Sequence, residues 1–514
     1  MDCNAIQQKL ADITLPEFKP LLLNYTQDPL ADCAGLKLIG RMPHKPSKDI
    51  ASSPLSIGFE TLDRDTFTPK DTFPWLAQSG IKRARCQTGW MKCEKTPGVY
   101  DFAWLDEVVD GLAAIGIETW FSVSFGHPVH TPAEPYEKAW KEANGKLVPG
   151  WPRGWVGETP YYHGEQAMAA WKNYVTALAN HFKGRVHTWE IWNEPEWFWT
   201  RNGRVLALDK VPMRDRARDY TDFVRITAAH IRDVIPAANI AADVAQTATA
   251  YVNALHEFGL PEHIDTFNYH FYDSIPENGM VARFNHLRHA MTRKDGTVLP
   301  IWQGESGRAA GKSQLFSFPT QLGQARYLTR RYLTDLICGA DVSSFFTITD
   351  FLCYYADGAD QYYGIIDARK NEPKLAYYAL QALGFLCDGI ERADDFCAFF
   401  TPTHRFEFGT IQAYNSVWAG SFRRKGVPVF AAWQTEHVDL SAQPIHGCLR
   451  TLAQGYETAF QNPIVIDPVR RNVWDASSIH SFFSEYGTDL FNTPLTDYPY
   501  IFTDLAIFDG ELGD

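Results

Sequence analysis

The stretch HTWEIWNEPEWFW, residues 187–199, decides how this chain is read. Trp189 and Ile191 alternate with Thr188 and Glu190, the two-residue period of a β-strand. Asn193-Glu194-Pro195 then ends the run, because proline lacks the N–H that a sheet interior needs. A carboxylate is thereby placed where the strand leaves its sheet, close in sequence to Trp192, Trp197 and Trp199. Upstream, AMAAWKNYVTALANHFKG (167–184) repeats Trp171, Tyr174, Val175, Leu178 and Phe182 at helical spacing before Gly184. Downstream, RDYTDFVRITAAHIRDVIP (218–236) repeats Tyr220, Phe223, Val224, Ala228 and Ile231 before Pro236. The pattern is helix, strand, helix.

Extended outward, the pattern recurs. LSIGFE (55–60), IKRARCQ (81–87), ETWFSVSF (118–125), VHTWEIW (186–192), NIAADVA (239–245), IDTFNYHF (264–271), LPIWQGE (299–305) and VSSFFTIT (342–349) read as eight strands separated by helices. One of those helices is DFAWLDEVVDGLAAIG (101–116), where Asp101 is expected to cap the start and Gly116 to close the end. Alternation of this kind favours a parallel sheet with crossover helices, and eight strands close it into a barrel. After about residue 388, AFFTPTHRFEFG, TIQAYNSVWAGSF and GVPVFAAWQTE are short β-rich runs between Gly and Pro turns. The expected fold class is therefore α/β, a (β/α)8 TIM barrel over 52–388 with an accessory β-sandwich over 389–514. Residues 1–51, which include the strand-like GLKLIGRM, are expected to join the sandwich.

Composition limits the function. Forty-eight Lys and Arg against 61 Asp and Glu leave a net charge of −13 with no block of like charge, which disfavours nucleic acid and anionic membranes as partners. No run of 18 apolar residues occurs, and the first residues, MDCNAIQQKLADITLPEF, lack the basic and apolar regions of a secretory signal. The expected location is cytoplasmic. Nine scattered cysteines without C-x-x-C spacing read as reduced thiols. The expected partner is a small molecule, with a homo-oligomer left open.

In such a barrel the loops at the C-terminal strand ends converge on one mouth. Strand 4 ends in Asn193 and Glu194, strand 7 in Glu305, strand 6 in His270 and Tyr272, strand 2 in Arg85 and Gln87, and strand 3 in His127. Two carboxyl groups over one pocket are the minimal apparatus of glycoside hydrolysis, one protonating the leaving oxygen and the other attacking or activating water. Read singly, Glu194 also suits a solvated turn and Glu305 an ion pair with Arg85. No H-x-H on strand 1 and no H-E-x-x-H occurs, so neither a metal nor another cofactor is expected.

The Trp-x-x-Trp-Asn-Glu-Pro string at strand 4, with a second glutamate ending strand 7, resembles retaining glycoside hydrolases of the (β/α)8 clan called the 4/7 superfamily, over about residues 55–385. The terminal β domain is similar in layout to glycoside hydrolase family 39. The resemblance implies Glu194 as acid/base, Glu305 as nucleophile and Asn193 as the partner of the sugar 2-hydroxyl. It implies His270-x-Tyr272 as the pair whose tyrosine orients the nucleophile, and Arg85 as the cation beneath it. Two features depart from the family pattern: the nucleophile context is QGESG, and strand 8 ends in FTITD without a tryptophan.

The chemistry requires the two carboxyl pKa values to be driven apart. Arg85 and Tyr272 are expected to keep Glu305 ionised, and the rings around Glu194, with anionic Glu305, to hold it protonated. For a retaining enzyme the carboxyl groups should lie about 5 to 5.5 Å apart. Glu60, ending strand 1, is the competing nucleophile. Trp90, Trp151, Trp155, Tyr161, Tyr162, Trp197 and Trp199 fall on or beside mouth loops and are candidates for stacking on a sugar, as His127 is for binding one. The segment from His127 to His163, with PGWPRGW at its centre, is long enough for a wall that favours removal of a terminal sugar. The expected activity is a retaining, exo-acting, β-xylosidase-like glycoside hydrolase. Other sugar specificities (β-glucoside, β-galactoside, α-L-arabinofuranoside, α-L-iduronide), transglycosylation and a non-catalytic carbohydrate-binding barrel are the alternatives.

Overall fold

The computed structural model describes residues 28–132, 158–198, 211–311, 317–318, 320–354, 359–394, 396–402, 417–435, 445–453, 460–484, 487–510 and 512–513. Eight parallel strands close a barrel: β1 (Leu55–Gly58), β2 (Arg83–Gln87), β3 (Glu118–Val123), β4 (Thr188–Ile191), β5 (Asn239–Val244), β6 (Thr266–His270), β7 (Ile301–Ser306) and β8 (Val342–Phe345), with β8 pairing to β1. Helices Pro69–Ala77, Ala103–Ala114, Glu165–Phe182, Met213–Val234, Thr249–Glu257, Met280–Ala290 and Gln321–Cys338 connect successive strands, and Leu375–Leu386 follows β8.

The stripes read from sequence are the buried faces. Trp171, Tyr174, Val175, Leu178 and Phe182 are buried on the helix before β4, and Tyr220, Phe223, Val224, Ala228 and Ile231 on the helix after it. Gly116 ends its helix at φ +80°, where a Cβ would stand 2.6 Å from Lys48 Cα, so a side chain there is excluded on both counts. Asp101 acts one residue before the expected place: Phe102 is the N-cap, and the Asp101 carboxylate accepts from Ala103 N at 3.1 Å.

Two antiparallel sheets make the accessory β region. The larger runs Lys37–Arg41, Asn472–Asp475, Pro463–Asp467, Tyr500–Asp504, Val427–Gln434, Val417–Arg424, Ile390–Arg392. The smaller runs Phe396–Pro402, Ile445–Ala453, Gly487–Leu495, His480–Ser484. The strand in GLKLIGRM thus lies at the edge of the larger sheet, while the expectation for residues 1–27 falls outside the described residues. Buried ion pairs fasten this region to the barrel. Arg330 binds Glu277 at 2.6 Å and the Asp497 carbonyl at 3.2 Å, Trp433 Nε1 donates to Glu277, and Arg326 binds Asp497 at 2.7 Å.

Candidate active site

The two-residue period of the strands sorts charges into the barrel. On β2, Ala84 and Cys86 join the apolar core cluster while Arg85 reaches other strands' carboxylates across the barrel; on β4, Trp189 and Ile191 join the same cluster while Glu190 meets Arg85. Below, Trp120 on β3 and Trp302 on β7 meet edge to face at 5.1 Å, and Trp120 Nε1 donates to Glu190 at 3.2 Å. Arg85 is fully buried, and its guanidinium donates to Glu60 at 3.1 Å, Glu305 at 3.0 Å, Asn193 Oδ1 at 2.6 Å and both oxygens of Glu190. Asn268 on β6 donates to the same Glu190.

Above this layer sit the paired glutamates. Tyr272 Oη donates to Glu305 Oε1 at 2.7 Å, and His270 Nδ1 lies 3.0 Å from Glu194 Oε1 and 3.8 Å from Glu305 Oε2. One oxygen of each glutamate and a His270 nitrogen fall within 4.8 Å of one another. The carboxyl side chains remain 15% and 12% exposed for Glu194 and Glu305, so both open on the mouth.

The turn that delivers Glu194 is held from β5. Trp192 and Glu194 have φ of +71° and +47°, a left-handed backbone that costs a non-glycine residue about 1 kcal/mol or more. Asp243 Oδ2 accepts the Glu194 N–H at 2.8 Å, and in return Glu196 accepts the backbone N–H groups of Ala245 at 2.7 Å and Gln246 at 3.3 Å. The exits of β4 and β5 are thereby latched together.

Burial pushes Glu194 up to about 7, with Glu190 adding to the rise and Arg85 opposing it. The direction is the expected one; of the rings named for it, only Trp192 lies among the fully described residues. Trp192 is fully buried and packs edge-on against Phe125, Trp171 and Phe223; Trp199 and the side chain of Trp197 lie outside the described residues. Glu305 is drawn both ways: burial, reinforced by Glu194, raises its carboxyl, while His270, Arg85 and Tyr272 act to lower it. Arg85 is shared among three carboxylates, which dilutes its hold on any one. Burial lowers His270 to about 4 and lifts Glu60 to about 8 and Asp243 well above the usual carboxylate range.

Of the residues singled out from sequence, Glu194, Glu305, Asn193, Arg85, His270 and Tyr272 converge. Trp90 does not reach the mouth: it is fully buried, donates Nε1 to Glu94 Oε2 at 2.5 Å and stacks on His130 at 5.2 Å. His127 is likewise buried, with Nε2 2.7 Å from the Glu94 carbonyl and Nδ1 taking the Val129 N–H at 3.1 Å. Tyr161 and Tyr162 point their hydroxyls at Asp222 and Asp219 on the helix after β4. Trp151 and Trp155 fall outside the described residues. Glu60 is fully buried, with one oxygen 3.1 Å from Arg85.

Sequence reasoning overlooked Glu190, Asp243 and Asn268. Their signal was present: an acid inside an apolar strand such as NIAADVA is anomalous unless it points into a polar barrel. An aromatic wall also stands beside Tyr272, where Phe346, at the exit of β8, meets it at 6.4 Å and Tyr363 at 5.5 Å. Phe346 thus offers a ring at the strand end that lacks tryptophan. Glu190, Asp243 and His270 are close enough to share a cation, as are Glu194, His270 and Glu305, but the Arg85 guanidinium already donates to Glu190 and Glu305.

Parts of this chain are similar to known glycoside hydrolases in sequence and in fold. A β-galactosidase family model (Glyco_hydro_42) matches residues 64–202, which include Arg85, Asn193 and Glu194. Beta-galactosidase BbgII of Bifidobacterium bifidum is 34% identical over 110 residues, covering 20% of this chain and 15% of that protein. The chain therefore spans under a sixth of that relative's length. Among solved structures, the family 30 subfamily 8 xylanase Xyn30A of Clostridium acetobutylicum superposes with a TM-score of 0.50 at 12% identity, covering 90% of this chain and 97% of the other. A β-galactosidase from Halorubrum lacusprofundi gives 0.45 at 15% identity, covering 64% and 57%. These matches do not single out family 39; the fold is a closed (β/α)8 barrel, and residues 64–202 are similar in sequence to a β-galactosidase family of glycoside hydrolases.

Proposed function

We propose that the protein is a retaining, exo-acting glycosidase in which Glu305 is the nucleophile and Glu194 the acid/base. The observation that carries this reading is the closeness of the two carboxyl groups, one oxygen of each lying within 4.8 Å of one of the other's, which suits the short separation of a retaining pair. A Glu305 oxygen attacks the anomeric carbon as the bond to the leaving oxygen breaks, and that oxygen takes the Glu194 proton. Glu194 then removes a proton from water, whose oxygen attacks the same carbon and releases Glu305. Asn193, fixed by Arg85, supports the 2-hydroxyl, and Tyr272 orients the nucleophile.

β-Galactosides are the first substrates to try, because the matched sequence is that of β-galactosidases, and β-xylosides the second. A panel of aryl glycosides, with proton NMR of the first-formed anomer, tests the reading. Retention is expected, and inversion overturns it.

Two further results are expected. Catalysis needs Glu194 protonated, and burial sets its pKa near 7, so kcat/KM should fall as pH rises through about 7. A pH–rate profile checks this. Gly304 on β7 leaves room for His270, since a Cβ there would stand 2.8 Å from Nε2. Gly304→Ala should therefore lower kcat by about 100-fold through misplacement of the imidazole, with thermal denaturation separating this from global unfolding.

A further inference from the structure

Below the glutamate pair, two fully buried groups are incompletely satisfied. Asp243 Oδ2 takes the Glu194 N–H, while Oδ1 has no partner. His270 faces Glu194 through Nδ1 at 3.0 Å and Asp243 through Nε2 at 3.4 Å, and Nε2 makes no hydrogen bond. With its pKa lowered to about 4, the ring is neutral near pH 7 and carries one proton on two nitrogens, with a carboxyl on either side.

Only two placements give both imidazole nitrogens a complementary partner in the carboxyl oxygen each one faces, Glu194 Oε1 and Asp243 Oδ2. In the first, Nε2–H faces ionised Asp243 and the Nδ1 lone pair receives the Glu194 O–H. In the second, Nδ1–H faces ionised Glu194 and Nε2 receives the proton of neutral Asp243. Both contain the same number of protons. We propose that Asp243, His270 and Glu194 form a relay in which the imidazole shares one proton between the two carboxyl groups, making Asp243 a positioning residue that sets the protonation of Glu194. The Glu194 O–H breaks as Nδ1–H forms, and Nε2–H breaks as the Asp243 O–H forms, so no proton enters or leaves. The catalytic meaning of the relay rests on Glu194 being the acid/base; its geometry does not.

A shared proton is held more tightly than either carboxyl would hold its own, because losing it leaves two buried anions side by side. Other charges bear on the pair. Arg85, Glu190 and Glu305 face Glu194 from β2, β4 and β7, and Glu190, Arg85 and Glu196 act on Asp243. On His270 itself burial and Arg85 lower the pKa while Glu305 and Glu190 raise it, and a Glu190 oxygen lies within 4.8 Å of an imidazole nitrogen and an Asp243 oxygen.

The experiment is NMR of the full-length protein labelled with ¹⁵N-histidine, the His270 signals being those absent from His270→Gln. In the wild type the ring nitrogens should show shifts averaged between the two neutral tautomers. In Asp243→Asn, whose carbonyl accepts from Glu194 N–H and from Nε2–H but takes no proton, they should collapse to the Nε2–H tautomer. The upper limb of the pH–rate profile should then move down by about one unit. Should Asp243→Asn fold poorly, Glu194→Gln at the mouth removes the other proton site and should fix a single tautomer as well. A wild-type His270 already in one tautomer, or spectra unchanged in both variants, overturns the relay. The tautomer measurement needs no turnover: averaged shifts in a protein that cleaves no glycoside would sustain the relay and reject the glycosidase, whereas unchanged spectra in an active glycosidase would do the reverse.

Discussion

Glu305→Ala is expected to reduce turnover on every glycoside by a factor on the order of 10⁶, the scale on which removal of a covalent nucleophile acts. The same residue should be found esterified when the wild type meets a 2-deoxy-2-fluoro glycoside of the correct sugar. Fluorine slows collapse of the intermediate more than its formation, so the adduct persists for peptide mapping by mass spectrometry. Burial raises the Glu305 carboxyl, yet Arg85 at 3.0 Å and Tyr272 at 2.7 Å each contact one of its oxygens, so the anion is met on both sides once formed. A label on any other glutamate removes Glu305 from the mechanism. Glu60 is not available for labelling, being fully buried with one oxygen on Arg85.

The second large effect belongs to Glu194. Glu194→Ala should cost about 10²- to 10⁴-fold on substrates with poor leaving groups, and far less in the first step on activated aryl glycosides, which depart without full protonation. The second step then lacks its base, and the glycosyl-enzyme should accumulate even on activated substrates. Azide needs no deprotonation and fits where the side chain was, so it should restore turnover and yield a glycosyl azide of the substrate's own anomeric configuration. Equal losses on all leaving groups with no response to azide would assign Glu194 to binding or folding. Stopped-flow kinetics of the aryl release and NMR of the azide product make the distinction.

The parts of this site that could be read from the chain are those fixed by strand period and strand end. Alternation along β2 and β4 turns Arg85 and Glu190 inward, and the Asn-Glu-Pro exit sets Glu194 at the mouth, because these depend on local geometry alone. The eight strands and the barrel they form were legible for the same reason. What could not be read depends on how far side chains reach across space. Trp90 lies on a loop-to-helix segment in sequence, yet it is buried against His130, Trp171 and Tyr174, since a large ring near a mouth packs inward as readily as outward. Sequence did not show the upward push of burial on Glu305, nor that Arg85 is divided among Glu60, Glu190 and Glu305, a sharing that no spacing reveals. Asp243 likewise acts on Glu194 from 49 residues away through a single backbone N–H.

The fastening at Glu277 bears on how such a barrel can exchange its appendages over evolutionary time. Glu277 lies five residues beyond Tyr272 on the loop leaving β6, and it is gripped at once by Arg330 from a barrel helix and by Trp433 from the larger sheet. Arg326 depends on Asp497 of the same β region. Removing Asp497 would break this buried ion pair, and breaking such a pair costs about 3 to 5 kcal/mol, a large share of a domain's whole stability. A replacement module would have to meet Glu277 and Arg326 with a donor and a carboxylate of its own, so the loop that carries Tyr272 and the distant sheet are coupled through these contacts.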